Sequence, residues 1–72
     1  MLTSRQVRVW HWQLCLHYRR LEQQAAERND QRKVQKWKRI ADTHIKIVQF
    51  MNDLPHCSDT TAEQDLALGI KC

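Results

Sequence analysis

The run ERNDQR, residues 27–32, breaks the phase of an otherwise helical pattern, and that break limits the folds open to the chain. Upstream, Val7, His11, Leu14, Tyr18, Leu21 and Ala25 recur at alternating spacings of four and three. That is the signature of one buried helical stripe. Continuing it would bring Arg28, Arg32, Gln35 and Arg39 to core positions. The apolar residues that follow are instead Val34, Trp37, Ile40, Ala41, His44, Ile45, Ile47, Val48, Met51 and Leu54, a second stripe in another register. Asn29 tolerates the left-handed conformation that ends a helix, and Asp30 is a good first cap for the next. The spacing therefore predicts two helices, at about 4–28 and 31–54, joined by a short turn into an antiparallel hairpin over residues 1–55. One continuous helix with a stutter is the alternative, since neither glycine nor proline enforces the break.

The start of the first helix is marked locally. Thr3-Ser4-Arg5-Gln6 fits a capping box, with Leu2 and Val7 placed as a hydrophobic staple. Leu54-Pro55 ends the second helix, because proline disfavours helix in the residue before it. In residues 56–72, HCSDT reads as a loop and Thr60-Thr61-Ala62-Glu63 as a second capping box. That box opens a short helix stopping at Gly69, with Leu66, Leu68 and Ile70 weakly apolar. The segment either docks on the hairpin or remains a mobile tail. With one glycine and one proline in 72 residues, turns are few and a sheet-rich fold is disfavoured. The fold class is all-α.

Folding about residues 29–30 pairs Val7 with Met51, Trp10 with Val48, Leu14 with Ile45, Tyr18 with Ala41 and Ala25 with Val34, apolar against apolar throughout. Apolar residues remain. VRVWHWQLCLHYRRL, residues 7–21, holds two tryptophans, a tyrosine and five Val/Leu residues, more than one stripe needs. Burying such a side chain contributes about 1.5–3 kcal/mol, and a chain this short is marginal alone. A second copy completes the core as a dimeric helical bundle, with Trp10, Trp12, Leu14, Ile45, Val48 and Met51 at the contact. The competing readings are that the C-terminal segment covers this surface, or that it is held for a foreign partner.

Charge is uneven. From Arg19 to Arg39 eight basic residues face three acidic ones, a local excess of five within a net charge of +4. Arg28, Arg32, Lys33, Lys36 and Arg39 would form a basic knob at the turn, suited to an acidic protein surface or to nucleic-acid phosphates. Helix 2 is too apolar to lie in a groove as a recognition helix.

His11 and Cys15 are one helical turn apart, and the hairpin brings His44 near them, a weak zinc-type set without CxxC or HxxxH. No metal and no cofactor are expected. Buried at a subunit contact, His11 and His44 would loosen assembly when protonated. The odd cysteine count, Cys15, Cys57 and Cys72, argues for reduced thiols. There is no phosphate loop, nucleophile elbow or paired-carboxylate cleft, so no enzyme and no small-molecule substrate are expected. No signal peptide and no run near the roughly 18 apolar residues of a membrane span can be found, which points to the cytoplasm and to no membrane partner.

VWHWQLCLHYRRLEQ together with QKWKRIADTHIKIVQF resembles the small accessory proteins encoded in the exo–xis region of lambdoid bacteriophages. The likeness lies in size, composition and helical pattern over roughly residues 4–54 and carries no functional residue across. It implies a non-enzymatic early phage product in the host cytoplasm that regulates by binding a host protein. The sequence reading is thus a small regulatory or adaptor protein, a homo-oligomer acting by protein–protein contact. Nucleic-acid binding at the basic turn is the alternative.

Overall fold

The computed structural model describes residues 2–69, and among these the chain is helical with no strand. Two long helices, α1 (Ser4–Glu27) and α2 (Gln31–Asn52), are followed by a short one, α3 (Ala62–Ala67). The start of α1 is the expected capping box. The Thr3 hydroxyl accepts from the Gln6 N–H at 3.2 Å, and the Gln6 side chain accepts from the Thr3 N–H at 2.8 Å.

The break between α1 and α2 falls at Asn29, whose φ of 58° lies in the left-handed region. The Asp30 N–H donates to the Ala25 carbonyl at 2.9 Å and the Asn29 N–H to that of Ala26 at 3.1 Å. These two bonds are the Schellman pattern, which satisfies carbonyls that a helix end leaves orphaned. Asp30 then caps α2, its carboxylate accepting from the Lys33 N–H at 3.3 Å. The helical path is interrupted, so α1 and α2 are separate helices rather than one with a stutter.

The early part of α1 meets the late part of α2. Arg8 bonds to Asn52, His11 to His44, and Tyr18 stacks on both His44 and Trp37. The molecule is 41 Å long and about 20 Å in its other dimensions. A 24-residue helix spans about 36 Å, so the length is that of α1 with little added. Val9, Cys15, Ala25, Ala41, Val48, Met51, Cys57 and Ala62 form the buried apolar core.

Residues 53–61 turn back after α2 through bonds from Cys57 N–H to Leu54 O at 2.9 Å and Thr60 N–H to Cys57 O at 3.4 Å. They deliver α3 onto α1. The cap of α3 is Thr61 with Gln64, one residue later than Thr60 with Glu63. The shift has a cause: the Thr60 hydroxyl is committed to Asp65 and to two arginines. Leu66 is half-buried and Leu68 is exposed, while Ile70 lies outside the described residues.

Candidate interaction surfaces

A buried polar cluster fastens the C-terminal segment. Arg8, fully buried on α1, donates through Nη1 to Asn52 Oδ1 at 2.9 Å and to the carbonyls of Cys57 and Thr60 at 2.8 Å each. Through Nη2 it reaches Thr60 Oγ1 at 3.0 Å and Asp65 Oδ2 at 2.5 Å. Asp65 is likewise fully buried, and takes further bonds from Arg5 on both oxygens and from the Thr60 hydroxyl. The hydrogen bond from Arg5 leads in holding the Asp65 carboxyl well below the usual carboxylate range, with Arg8 and Thr60 adding to it against desolvation. Among the described residues, Arg8 Nε is the one buried side-chain polar atom without a partner. A charge inside a protein is tolerated when paired and hydrogen-bonded, and that condition is met around nearly the whole guanidinium.

A row of rings runs between α1 and α2. Trp10 sets its edge on His11, His11 lies beside His44, and Tyr18 stacks on His44 and on Trp37. The Lys36 ammonium sits 5.0 Å from the Trp37 ring centre. The Nδ1 atoms of His11 and His44 are 3.0 Å apart, which requires one to carry a proton and the other to be bare. Burial, then the neighbouring His44, lowers the His11 pKa. Cys15 lies near this row's level of α1 but is fully buried, and burial raises its thiol pKa. Among the described residues no three His, Cys, Asp or Glu side chains gather to hold a metal ion.

The six apolar residues expected at a subunit contact separate into three groups. Val48 and Met51 are buried within the single chain. Trp12 and Ile45 are half-buried and, with Val48, line a cleft closed by Thr61 and Ala62 of the returning segment. Trp10 keeps 46% of its surface, and Leu14 is half-buried. Phe50, which the sequence reading did not single out, is 69% exposed. Val7, Leu14 and Leu21 recur at steps of seven along α1, as do Ile40, Ile47 and Leu54 from α2 onward, and all six remain half-buried.

The five basic candidates also divide. Arg28 and Lys33 border a hollow with Leu21, Gln24, Asp30 and Trp37. Arg32, Lys36 and Arg39 border a different one with Gln35 and Ile40. Lys33 pairs loosely with Asp30 at 3.9 Å, and none of the other four has an ion pair among the described residues. Also among the described residues, no helix is long and apolar enough to cross a membrane. Compared with known proteins, the chain matches no family model, and no curated protein or solved structure is significantly similar to it.

Proposed function

We propose that the chain is a non-enzymatic regulatory or adaptor protein that works as a pair of antiparallel helical hairpins and acts by protein–protein contact. The observation that carries this reading is the pair of seven-residue rows left half-buried, Val7/Leu14/Leu21 and Ile40/Ile47/Leu54, flanked by exposed Trp10 and Phe50. Arg8 on α1 bonds to Asn52 on α2 and Tyr18 stacks on Trp37, so the helices that carry the two rows lie against each other. Two parallel apolar rows at heptad spacing are what a helix pair offers a second helix pair in a four-helix bundle.

The returning segment supports the choice of face. Among the described residues it covers the side bearing Trp12 and Ile45, where Thr61, Ala62 and Glu63 line the cleft. The likeness to small exo–xis region proteins of lambdoid phages fits an assembled product of this kind that binds a host protein in the host cytoplasm. Sedimentation equilibrium tests the assembly. A concentration-dependent dimer that Leu14→Glu and Ile47→Glu each convert to a helical monomer supports the reading; a monomer at every concentration refutes it.

A further inference from the structure

The outward ridge of α2 is a straight row of cations. Arg32, Lys36, Arg39, Thr43 and Lys46 follow at steps of four, three, four and three, and every one is exposed. Such spacing keeps them on one face of a helix, with neighbours about 5–6 Å apart. From Arg32 to Lys46 the row is about 21 Å long at 1.5 Å per residue. None of its four charges has a carboxylate partner among the described residues. Gln35 and Lys38 lie beside it, and Asp42 on its flank is the acid that borders the same groove as Arg39 and Lys46. The row adjoins the Ile40/Ile47/Leu54 row at Ile40, which borders one hollow with Arg32, Lys36 and Arg39.

We infer that this ridge binds the phosphate backbone of duplex nucleic acid without reading sequence, through Arg32, Lys36, Arg39 and Lys46. A duplex presents one charge per about 1.7 Å of axis, so cations spaced along 21 Å all find phosphates. An acidic protein surface rarely offers carboxylates in so regular a line. A single strand is the poorer fit, because stacking needs free aromatic faces. Trp37 is stacked on Tyr18 and topped by Lys36, and the exposed ring on this ridge, Phe50, stands at its far end, four residues past Lys46. The proposed site thus runs along α2, sharing Arg32, Lys36 and Arg39 with the candidates at the turn and adding Lys46. Base readout is no part of the proposal, because the row's contacts are four charges suited to phosphates, which position a protein without reading sequence.

The test is fluorescence anisotropy with a labelled duplex of arbitrary sequence and its single strand, between 25 and 200 mM salt on the order of the usual titration range. Four phosphate contacts give a log–log salt slope of about −3 to −4. Lys36→Gln/Arg39→Gln should lower the slope by about 2 and weaken binding about tenfold or more at low salt. Arg19→Gln/Arg20→Gln removes the same charge from α1 and should leave binding within about twofold, because the contact, not the net charge, carries affinity. No binding at low salt, equal loss in the two double variants, or tighter binding of the single strand overturns the inference. Sedimentation of the same variants keeps this outcome separate from that of the assembly, since a loss of binding counts for the ridge only where the assembly is unchanged.

Discussion

Arg8 and Asp65, 57 positions apart, form an ion pair in which neither side chain is reached by solvent. Removing Asp65 leaves Arg8 sealed without a counter-charge, whereas Asp65 still has Arg5 when Arg8 is removed. Asp65→Asn should therefore cost about 3–5 kcal/mol, with the C-terminal segment detached from α1 or the chain unfolded, as read by urea titration. The double change Arg8→Met/Asp65→Leu removes the desolvation penalty together with the pair and should be far milder than the two single costs added. A strictly additive double variant would contradict the burial described here.

The same carboxylate, held chiefly by Arg5 and then by Arg8 and Thr60, sets acid sensitivity. The Asp65 pKa is depressed on folding, so its contribution is complete above the unfolded carboxylate value of about 3.9 and is lost as pH falls below that toward the folded one. Between pH 7 and 5 the segment should stay attached, with α3 loosening only in stronger acid. Far-ultraviolet circular dichroism and thermal melts from pH 5 to 2 check this.

His11 acts in a milder range and with the opposite charge change. Its folded pKa lies below the model-compound 6.5, so the unfolded chain binds more protons and stability declines as pH drops through about 6.5. His11→Gln should flatten the difference in melting temperature between pH 7.5 and 5.5. An unchanged difference in that variant would assign the effect elsewhere.

Asn29 occupies a conformation that costs an ordinary L-residue about 1–2 kcal/mol. Asn29→Val should destabilise by about that amount, whereas Asn29→Gly should be tolerated within a few tenths of a kcal/mol, since glycine enters this region freely. Equilibrium urea unfolding of both variants measures the difference. Equal losses would mean that the turn does not rely on a positive φ.

Cys15 and Cys57 are both buried, and the Cys15 thiol is pushed up by burial. A buried neutral thiol is a poor nucleophile. Neither should be alkylated by iodoacetamide at pH 8 until denaturant is added. Mass spectrometry of digested protein, with and without denaturant, gives the answer for each site.

Local signals in the sequence pointed to the helix ends correctly because caps depend on residues three or four apart. Thr3 with Gln6, Asn29 in the turn and Asp30 ahead of α2 are all of this kind. The centre of the α1 core was harder to read. Hydropathy favours Val7, Leu14 and Leu21, but Arg8, Val9 and Cys15 are the positions of α1 with no exposed surface. Large apolar groups on both flanks of α1 blur the phase, and an arginine between Val7 and Val9 scores as surface. No periodicity links Arg8 to Asp65, for their attraction is a matter of distant chain segments meeting. The row from Arg32 to Lys46 was present in the sequence as ordinary charge spacing. It gained meaning only once the packed side of α2 was known.

A guanidinium held at five points tolerates no halfway position. If the returning segment lifted by even a few ångströms, several donors would lose their acceptors together while water was still shut out, so intermediate placements are disfavoured over both full contact and full release. Amide protons of α3 and of the first turns of α1 should then exchange through one common opening, a single event felt at two ends of the chain.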